Sequence, residues 1–154
     1  MEIVDFSPQY AEAFARLNLE WLEKYFHVED IDRVVLSDPE TEVIGHGGHI
    51  LFARVNDEVV GTVALKHHGN GRYELTKMAV TESCQGQGLG RALMVAAIAR
   101  FHDIQGSSMF LETNSRLRTA IKLYESAGFR HEPHPAGSDY ERSDTYMAFR
   151  PGDK

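Results

Sequence analysis

The stretch Gln85-Gly86-Gln87-Gly88-Leu89-Gly90-Arg91 is the most informative part of this chain. It follows a strand-like run, 74–80, and precedes an alanine-rich run, 92–101, that is typical of a helix. Three glycines at alternate positions allow the backbone to approach a ligand closely. The unpaired N–H groups and the dipole at a helix start attract anions. Strand, glycine loop and helix together indicate an anion site that is best suited to phosphate.

Two well-known phosphate loops do not fit this spacing. A Walker A loop ends in Gly-Lys-Ser/Thr, whereas Gly90 is followed by Arg91 and Ala92. A dinucleotide fingerprint beginning at Gly86 requires glycine or alanine at position 91, which is arginine. A plain turn between a strand and a helix remains the structural alternative, but one glycine would serve a turn. The observed spacing is Gln-x-x-Gly-x-Gly.

The composition fits one folded domain over residues 1–154. Of the 154 residues 42% are hydrophobic, which is enough for a sizeable core. A net charge of −7 argues against a general nucleic-acid or anionic-membrane binder. No apolar run approaches the roughly 20 residues that span a bilayer, and the first residues do not resemble a signal peptide. With one cysteine, Cys84, the chain is expected to be cytoplasmic.

Hydrophobic periodicity predicts an α+β protein. A short strand, 3–6, precedes a helix that begins at Ser7-Pro8 and a second helix, 30–36, that ends at Asp38-Pro39. The sequence then predicts three strands in a meander, 49–55, 58–65 and 72–80, and a long helix, 89–101. After them it predicts a strand, 107–113, and a helix from Asn114 or Ser115 to Gly128. Two closing strands, 129–132 and 144–149, are separated by a loop, 133–138.

An acidic cluster lies between the first two helices. It contains His27, Glu29, Asp30 and Asp32. A solvated helix connection is the favoured interpretation, because runs of charge usually are solvated. The alternative is a wall of the substrate site that attracts a cationic amine.

The motif at Gln85, Gly88 and Gly90 resembles the acetyl-CoA pyrophosphate loop of the GCN5-related N-acetyltransferases (GNAT), usually Arg/Gln-x-x-Gly-x-Gly/Ala. Two later segments agree with the same family. The run 123–129 matches Leu-Tyr-x-x-x-Gly-Phe, and 111–114 matches a strand that ends in a cofactor-contacting asparagine. The resemblance covers nearly the whole chain. It implies a mixed, mostly antiparallel central sheet flanked by helices, in the order β-α-α-β-β-β-α-β-α-β-β.

The resemblance also implies which residues bind acetyl-CoA. The backbone of the strand before the loop would bind the pantetheine arm and the thioester carbonyl, Arg91 would add charge-assisted bonds to the pyrophosphate, and Asn114 would contact the pantetheine amide region. The predicted cofactor-binding residues are Met78, Ala79, Val80, Gln85, Gly86, Gln87, Gly88, Leu89, Gly90, Arg91 and Asn114.

Two residues are candidates for proton transfer. Tyr124 is the candidate general acid, because a phenol of pKa about 10 matches the basicity of a departing thiolate; a core tyrosine is the alternative. Glu74 is the candidate general base, although an outward-facing glutamate in a strand is also ordinary. The alternatives to Glu74 as the base are His67, His68 and Glu112.

No metal is expected, because proline interrupts His131-Glu132-Pro133-His134. Cys84 is better explained as a small filler than as a reactive thiol. The resemblance implies direct acetyl transfer to an amine, with a homodimer as a possible assembly. The acidic balance and the short chain favour a small primary amine, such as an amino acid or a polyamine-like molecule, and no nucleic-acid or membrane partner is expected. The candidates for binding a carboxylate on the acceptor are Arg72, Arg130 and Arg142. A non-catalytic acyl-CoA-binding or sensor domain is the main alternative, and an unrelated nucleotide-binding module is a third.

Overall fold

The computed structural model describes residues 1–135 and 140–152. One seven-stranded sheet, in the order β1-β2-β3-β4-β5-β7-β6, carries helices on its two faces. Of the described helices, none combines the length and the apolar character needed to cross a bilayer. The elements are β1 Glu2–Asp5, α1 Ala11–Tyr25, α2 Asp30–Ser37, α3 Pro39–Glu42, β2 His49–Val55, β3 Glu58–His67, β4 Arg72–Val80, α4 Leu89–Asp103, β5 Ser108–Thr113, α5 Arg118–Ala127, β6 Phe129–Glu132 and β7 Thr145–Phe149.

The sheet divides between β4 and β5, its only parallel neighbours among the described strands. These strands pair only from Arg72 to Glu74 with Ser108 to Phe110. Beyond Glu74, β4 pairs only with β3 as far as Val80, while β5 pairs with β7. The side of β4 that faces β5 therefore has no strand partner over residues 76–80, and its backbone groups there are available to a ligand.

A bulge in β4 lies beside this division. The β3–β4 register shifts between Thr62–Ala79 and Ala64–Thr76, so that Lys77 and Met78 together oppose one residue of β3. Lys77 has a φ of 55°, a left-handed conformation that is uncommon for lysine. Because a bulge interrupts the two-residue alternation of a strand, it changes which face each later side chain meets. Lys77 consequently points to the α2 side, where it is buried.

Two apolar clusters hold the helices on the sheet. The first lies under α4 and contains Leu93, Met94, Phe101 and Phe129, and the second lies under α1 and α2. Complete burial of a side chain of this size contributes about 1.5–3 kcal/mol each. Residues with almost no exposed surface in the second cluster are Phe14, Leu17, Leu22, Val43, Ile50 and Phe52.

Most predicted elements are confirmed, and the turns agree in detail. Asn56 and Asp57 turn β2 into β3 with φ angles of 51° and 65°. Gly128 ends α5 in the left-handed conformation. The α+β class and the flanked, mostly antiparallel sheet are confirmed. Part of the predicted loop 133–138 lies outside the described residues.

Two boundaries and one added helix differ from the prediction. Ser7-Pro8 begins a 3-10 turn, Pro8–Tyr10, and α1 follows it at Ala11. Helix α2 ends at Ser37, before Asp38-Pro39 as predicted, but a short helix, α3, follows because the Asp38 side chain accepts a bond from the Thr41 amide and caps it. The helix predicted from Asn114 or Ser115 begins at Arg118, with Leu117 as its cap.

The interpretation of the acidic cluster as a solvated connection is wrong for two of its members, Asp32 and Glu29. Asp32 has no exposed surface and accepts bonds from Lys77 at 2.6 Å and from Arg142 at 2.8 Å. The side chain of Glu29 is only 8% exposed and pairs with Arg142 at 2.9 Å. The partners lie 45 or more residues away along the chain, so local charge density could not reveal them. Asp30 is exposed, as expected.

Candidate active site

A groove of about 800 Å³ follows the free part of β4 and runs between the glycine loop and α5. The division of the sheet creates it, because β5 turns away from β4 after Glu74. Its lining contains most of the residues predicted to bind a cofactor, namely Met78, Ala79, Val80, Gln85, Gly86, Gly88, Leu89, Gly90 and Arg91. Gln87 does not line the groove.

The loop depends on glycine because of its backbone conformation. Gly86 and Gly88 both have a φ of 80°, which side-chain-bearing residues rarely adopt, and Gly88 is the residue before the first turn of α4. A Cβ atom placed on either glycine would meet no atom within 4 Å. The space in front of the loop is therefore open to a ligand. The Gln85 side chain donates to the Val80 carbonyl at 3.1 Å and ties the loop to β4.

The groove is positively charged although the whole chain is acidic. Arg91, Arg116, Arg118 and Lys122 line it, and no aspartate or glutamate is found among its described lining residues. Arg116 also bonds the Tyr25 carbonyl. The sequence interpretation missed the three cations after Arg91. Arg118 and Lys122 were the available signal, since residues four apart on a helix lie on the same face.

A second, smaller cavity of about 80 Å³ adjoins the groove. Helix α1, the middle of β4 and the end of β5 enclose it, together with a segment before β7. Both spaces share four lining residues, so the cavity opens into the groove where these side chains meet. The shared residues are Trp21, Met78, Leu117 and Tyr124.

Tyr124 is the only candidate proton donor at this junction among the described residues. Burial raises the pKa of its hydroxyl to about 12, so the group stays protonated at neutral pH. Its ring packs edge-on against Phe129, with 6.3 Å between the centroids. Across the described chain the hydroxyl forms no hydrogen bond, which leaves its proton for a ligand. Tyr124 therefore packs against the core, as the core alternative expects, and it also lines both spaces.

Two carboxylates line the cavity, each held by a histidine. Glu74, whose side chain is 5% exposed, lies 2.9 Å from His68 Nε2. Glu112 is 10% exposed and lies 3.0 Å from His134 Nε2. His67, an alternative base, is elsewhere: it stacks on Tyr73 at 4.7 Å and does not line the cavity.

The cations of the cavity wall are already neutralised. Lys77 and Arg142 both bind Asp32, and Arg142 also binds Glu29. Burial alone would raise the pKa of Asp32, but the bonds from Arg142 and Lys77 outweigh it and hold the pKa well below its usual range. Asp32 is therefore charged at neutral pH. Arg142, expected to be available to an acceptor carboxylate, already forms three bonds to Asp32 and Glu29.

Other predicted residues lie as follows. Asn114 lines the small cavity, where its amide nitrogen donates to the Arg142 carbonyl and its amide oxygen accepts from the Arg116 amide. Arg72 stacks on Phe110 at 4.0 Å. Cys84 lines the groove. Within residues 1–135 and 140–152, no three histidine, cysteine or carboxylate side chains converge as metal ligands.

Comparison with known proteins identifies the class and then the family. The structure superimposes on an acetyltransferase from Staphylococcus aureus with a TM-score of 0.86, at 20% identity over 97% of this chain and 98% of that one. An acetyltransferase from Bacillus subtilis in complex with CoA gives 0.73, at 18% identity and 97% of each chain. The model of the acetyltransferase (GNAT) family matches residues 10–129. The chain belongs to the GNAT family.

Among curated relatives, the N-acetylaspartate synthetase of Rattus norvegicus is 33% identical over 118 residues. That alignment covers 73% of this chain and 36% of the synthetase, so the chain spans about a third of that relative. An uncharacterized N-acetyltransferase, YvbK of Bacillus subtilis, is 26% identical over 102 residues, which cover 64% of this chain and 66% of YvbK. The predicted family resemblance is confirmed. Acetyl-CoA as the cosubstrate fits the groove.

Proposed function

We propose that this chain is an acetyl-CoA-dependent N-acetyltransferase that transfers the acetyl group directly to a primary amine of a small molecule. One observation carries the proposal. A cavity lined by two carboxylates opens into a cation-lined groove, and Met78 and Tyr124 lie at the opening. Acyl transfer from a thioester to an amine requires such a meeting of two ligands.

The groove would hold acetyl-CoA, which supplies the activated thioester. Backbone groups of Met78, Ala79 and Val80 would bond the pantetheine arm and the thioester carbonyl on the side of β4 that has no strand partner. The N–H groups from Gly86 to Arg91, at the start of α4, would bind the pyrophosphate. The four cations of the groove favour this triply phosphorylated ligand over a neutral one.

Glu74 and Tyr124 would move the protons. Glu74 accepts a proton from the amine, directly or through water, so that the nitrogen can form a bond to the acetyl carbon. The bond from that carbon to sulfur breaks. Tyr124 then donates its proton to the departing thiolate, and its raised pKa keeps the donor loaded. Each group of this kind contributes about 10²- to 10⁴-fold to the rate.

The charges of the cavity favour a cationic amine as acceptor. Glu74 and Glu112 face the cavity without a lysine or arginine partner among the described residues, whereas Lys77 and Arg142 are bound to Asp32. Because about 80 Å³ is roughly three water volumes, the cavity admits the amine end of a molecule and little more. The relative named N-acetylaspartate synthetase makes amino acids a second class to test.

A panel of amines tests the proposal. Release of CoA from acetyl-CoA is measured with polyamines, monoamines and amino acids at equal concentration. We expect turnover to be fastest with cationic amines that carry no carboxylate. Acetyl-CoA binding without turnover on any amine would instead support the sensor alternative, and preference for ATP or NAD over CoA in thermal-shift assays would support the nucleotide-binding alternative.

The proposal takes residues 1–154 as a single acetyltransferase domain that works in the cytoplasm. The homodimer remains a prediction, which sedimentation at several protein concentrations can test.

A further inference from the structure

The first observation concerns the surroundings of Glu74, and the inference rests on its proposed role as the base. Glu74 is the last residue of β4 that pairs with β5, opposite Phe110. Its buried carboxylate forms one hydrogen bond to a described side chain, that between Oε1 and His68 Nε2 at 2.9 Å. A buried carboxylate that lines a cavity and has one oxygen held by a hydrogen bond is well placed to accept a proton there.

His68 is fixed from two directions. It begins the turn between β3 and β4, and its backbone N–H donates to the Arg72 carbonyl at 2.8 Å. Its ring meets Phe110 edge-on, with 5.2 Å between the centroids. The side chain is 25% exposed and does not line the acceptor cavity. His68 therefore reaches solvent on one side and Glu74 on the other, and it can act on the acceptor only through Glu74.

The protonation state of His68 changes what Glu74 can do. A neutral His68 with its proton on Nε2 donates one bond, holds the carboxylate in one orientation and leaves its negative charge intact. A protonated His68 forms an ion pair and stabilises the ionised carboxylate, which becomes a weaker base. Charged and titratable groups lie around this pair on several elements. On the sheet they are Lys66, opposite Glu74 in the β3–β4 register, Arg72 and Tyr146 at Phe110, and the neighbouring His67. On the cavity side, Lys77 and Tyr140 interact electrostatically with Glu74.

We propose that His68 is the positioning residue of the general base: in its neutral form it orients Glu74 for catalysis, and by gaining a proton it switches Glu74 off. Acetyl transfer is then lost at acidic pH, where His68 gains a proton, while acetyl-CoA binding in the groove, which His68 does not line, is unchanged. The acceptor half of the reaction thereby gains a pH control that the cofactor half lacks.

Direct observation of the ring tests the coupling without any need for turnover. The His68 ring is followed by NMR in ¹⁵N-histidine-labelled protein, with His68→Gln to assign its signal. We expect the Nε2 signal of His68 to move in Glu74→Gln, because the ring loses the carboxylate that lies 2.9 Å from this nitrogen. An identical His68 signal in the two proteins would overturn the proposal, whatever the activity of the chain.

Kinetics then test the positioning role. His68→Gln keeps a donor at the Nε2 position but cannot gain a charge, so it should retain kcat at pH 8 within about threefold and lose the acidic limb of the wild-type profile. His68→Leu removes the donor and should lower kcat by about tenfold or more, with the dissociation constant of acetyl-CoA unchanged.

The neighbouring histidine supplies the matched control. His67→Gln and His67→Leu change the last residue of β3, which stacks on Tyr73 and does not line the cavity, and they should keep the wild-type kcat and pH profile. If His68→Leu behaves like His67→Leu, the positioning role is wrong. If no amine is acetylated by the wild type but the His68 signal still responds to Glu74→Gln, the coupling stands and the proposed reaction fails.

Discussion

The groove and the cavity meet at Tyr124, yet they are built in different ways. The groove is lined mainly by three continuous segments, the end of β4, the loop 85–91 and residues 116–126 around α5, with Trp21 and Tyr25 of α1 beside them. The cavity is made of side chains from α1, β4, β5 and the segment before β7, and its charges are set by ion pairs between distant residues. A cosubstrate site can therefore be built mainly from residues that are close together in the chain, whereas this acceptor site requires residues that only the complete fold brings together.

The largest expected effect is on the candidate general base, Glu74, which lines the cavity. Glu74→Gln keeps the size and one hydrogen-bonding oxygen but removes the proton acceptor, so kcat should fall by about 10²- to 10⁴-fold. Steady-state CoA release and calorimetric binding of acetyl-CoA check this, and the affinity should be unchanged. A comparable loss of acetyl-CoA affinity would show that cavity and groove are not separable.

The corresponding change in the groove is Gly88→Val. Valine is strained at a φ of 80° and would project into the open space in front of the loop. We expect acetyl-CoA affinity to fall by about 100-fold or more.

Gly69→Val is the matched control for this change, because Gly69 has a φ of 94° and equally open surroundings outside the groove. It carries the same kind of strain and should leave acetyl-CoA affinity intact. Equal losses in the two variants would attribute the effect to strain rather than to the ligand site.

At the junction of the groove and the cavity, a change of Tyr124 should lower turnover without changing the affinity for acetyl-CoA. Tyr124→Phe keeps the packed ring and removes the proton donor, so kcat should fall by about 10²-fold with acetyl-CoA affinity nearly unchanged. Because the pKa of Tyr124 is raised to about 12, its protonated, active form persists through pH 10. The wild-type rate should therefore show no alkaline loss between pH 8 and 10 from this group. Unchanged turnover in Tyr124→Phe would remove it from the acid role.

Asp32→Asn tests whether the wall of the cavity depends on its buried ion pairs. The change leaves Lys77 and Arg142 without their shared partner and should cost about 3–5 kcal/mol, which lowers Tm by roughly 6–20 °C. Calorimetry measures the shift. The pKa of Asp32 is depressed in the folded state, so its contribution is present above the unfolded pKa of about 4 and is lost as the pH falls below it.

The control for Asp32 is its neighbour two residues away. Asp30→Asn removes the same charge from the same helix, but Asp30 is fully exposed and its partner Arg33 lies on the surface. Tm should not change. A similar loss of stability in the two variants would mean that helix charge, rather than the buried network, is being measured.

The smallest expected effect concerns the cations of the groove. Arg118→Gln removes one charge near the proposed phosphates, and an exposed charge contributes about 0.2–1 kcal/mol, so affinity for acetyl-CoA should fall by about twofold to fivefold. The loss should shrink at high salt. Arg33→Gln, on a different surface, should not change the affinity. An effect independent of salt would contradict an electrostatic role.

The parts of the molecule that were read correctly from the sequence share one property, which is that their determinants are close together in the chain. Runs of strand-forming residues predict β2, β3 and β4, and the Asn56-Asp57 turn fixes the register between β2 and β3. The loop 85–91 carries its own requirement for glycine. The start of α5 was read wrongly because the Asn114 side chain accepts a bond from the Arg116 amide and closes a turn that delays the helix.

The binding site for the cosubstrate could be predicted from the sequence, because a glycine loop and a helix start next to each other in the chain form an anion site. The acceptor site could not be predicted in this way, because it depends on tertiary contacts. Folding buries Asp32 beside Lys77 and Arg142, pairs Glu74 with His68, and leaves two carboxylates facing the cavity. The physical reason is that burial and the nearest charges set what a side chain can do, and both depend on residues that the chain brings together from far apart.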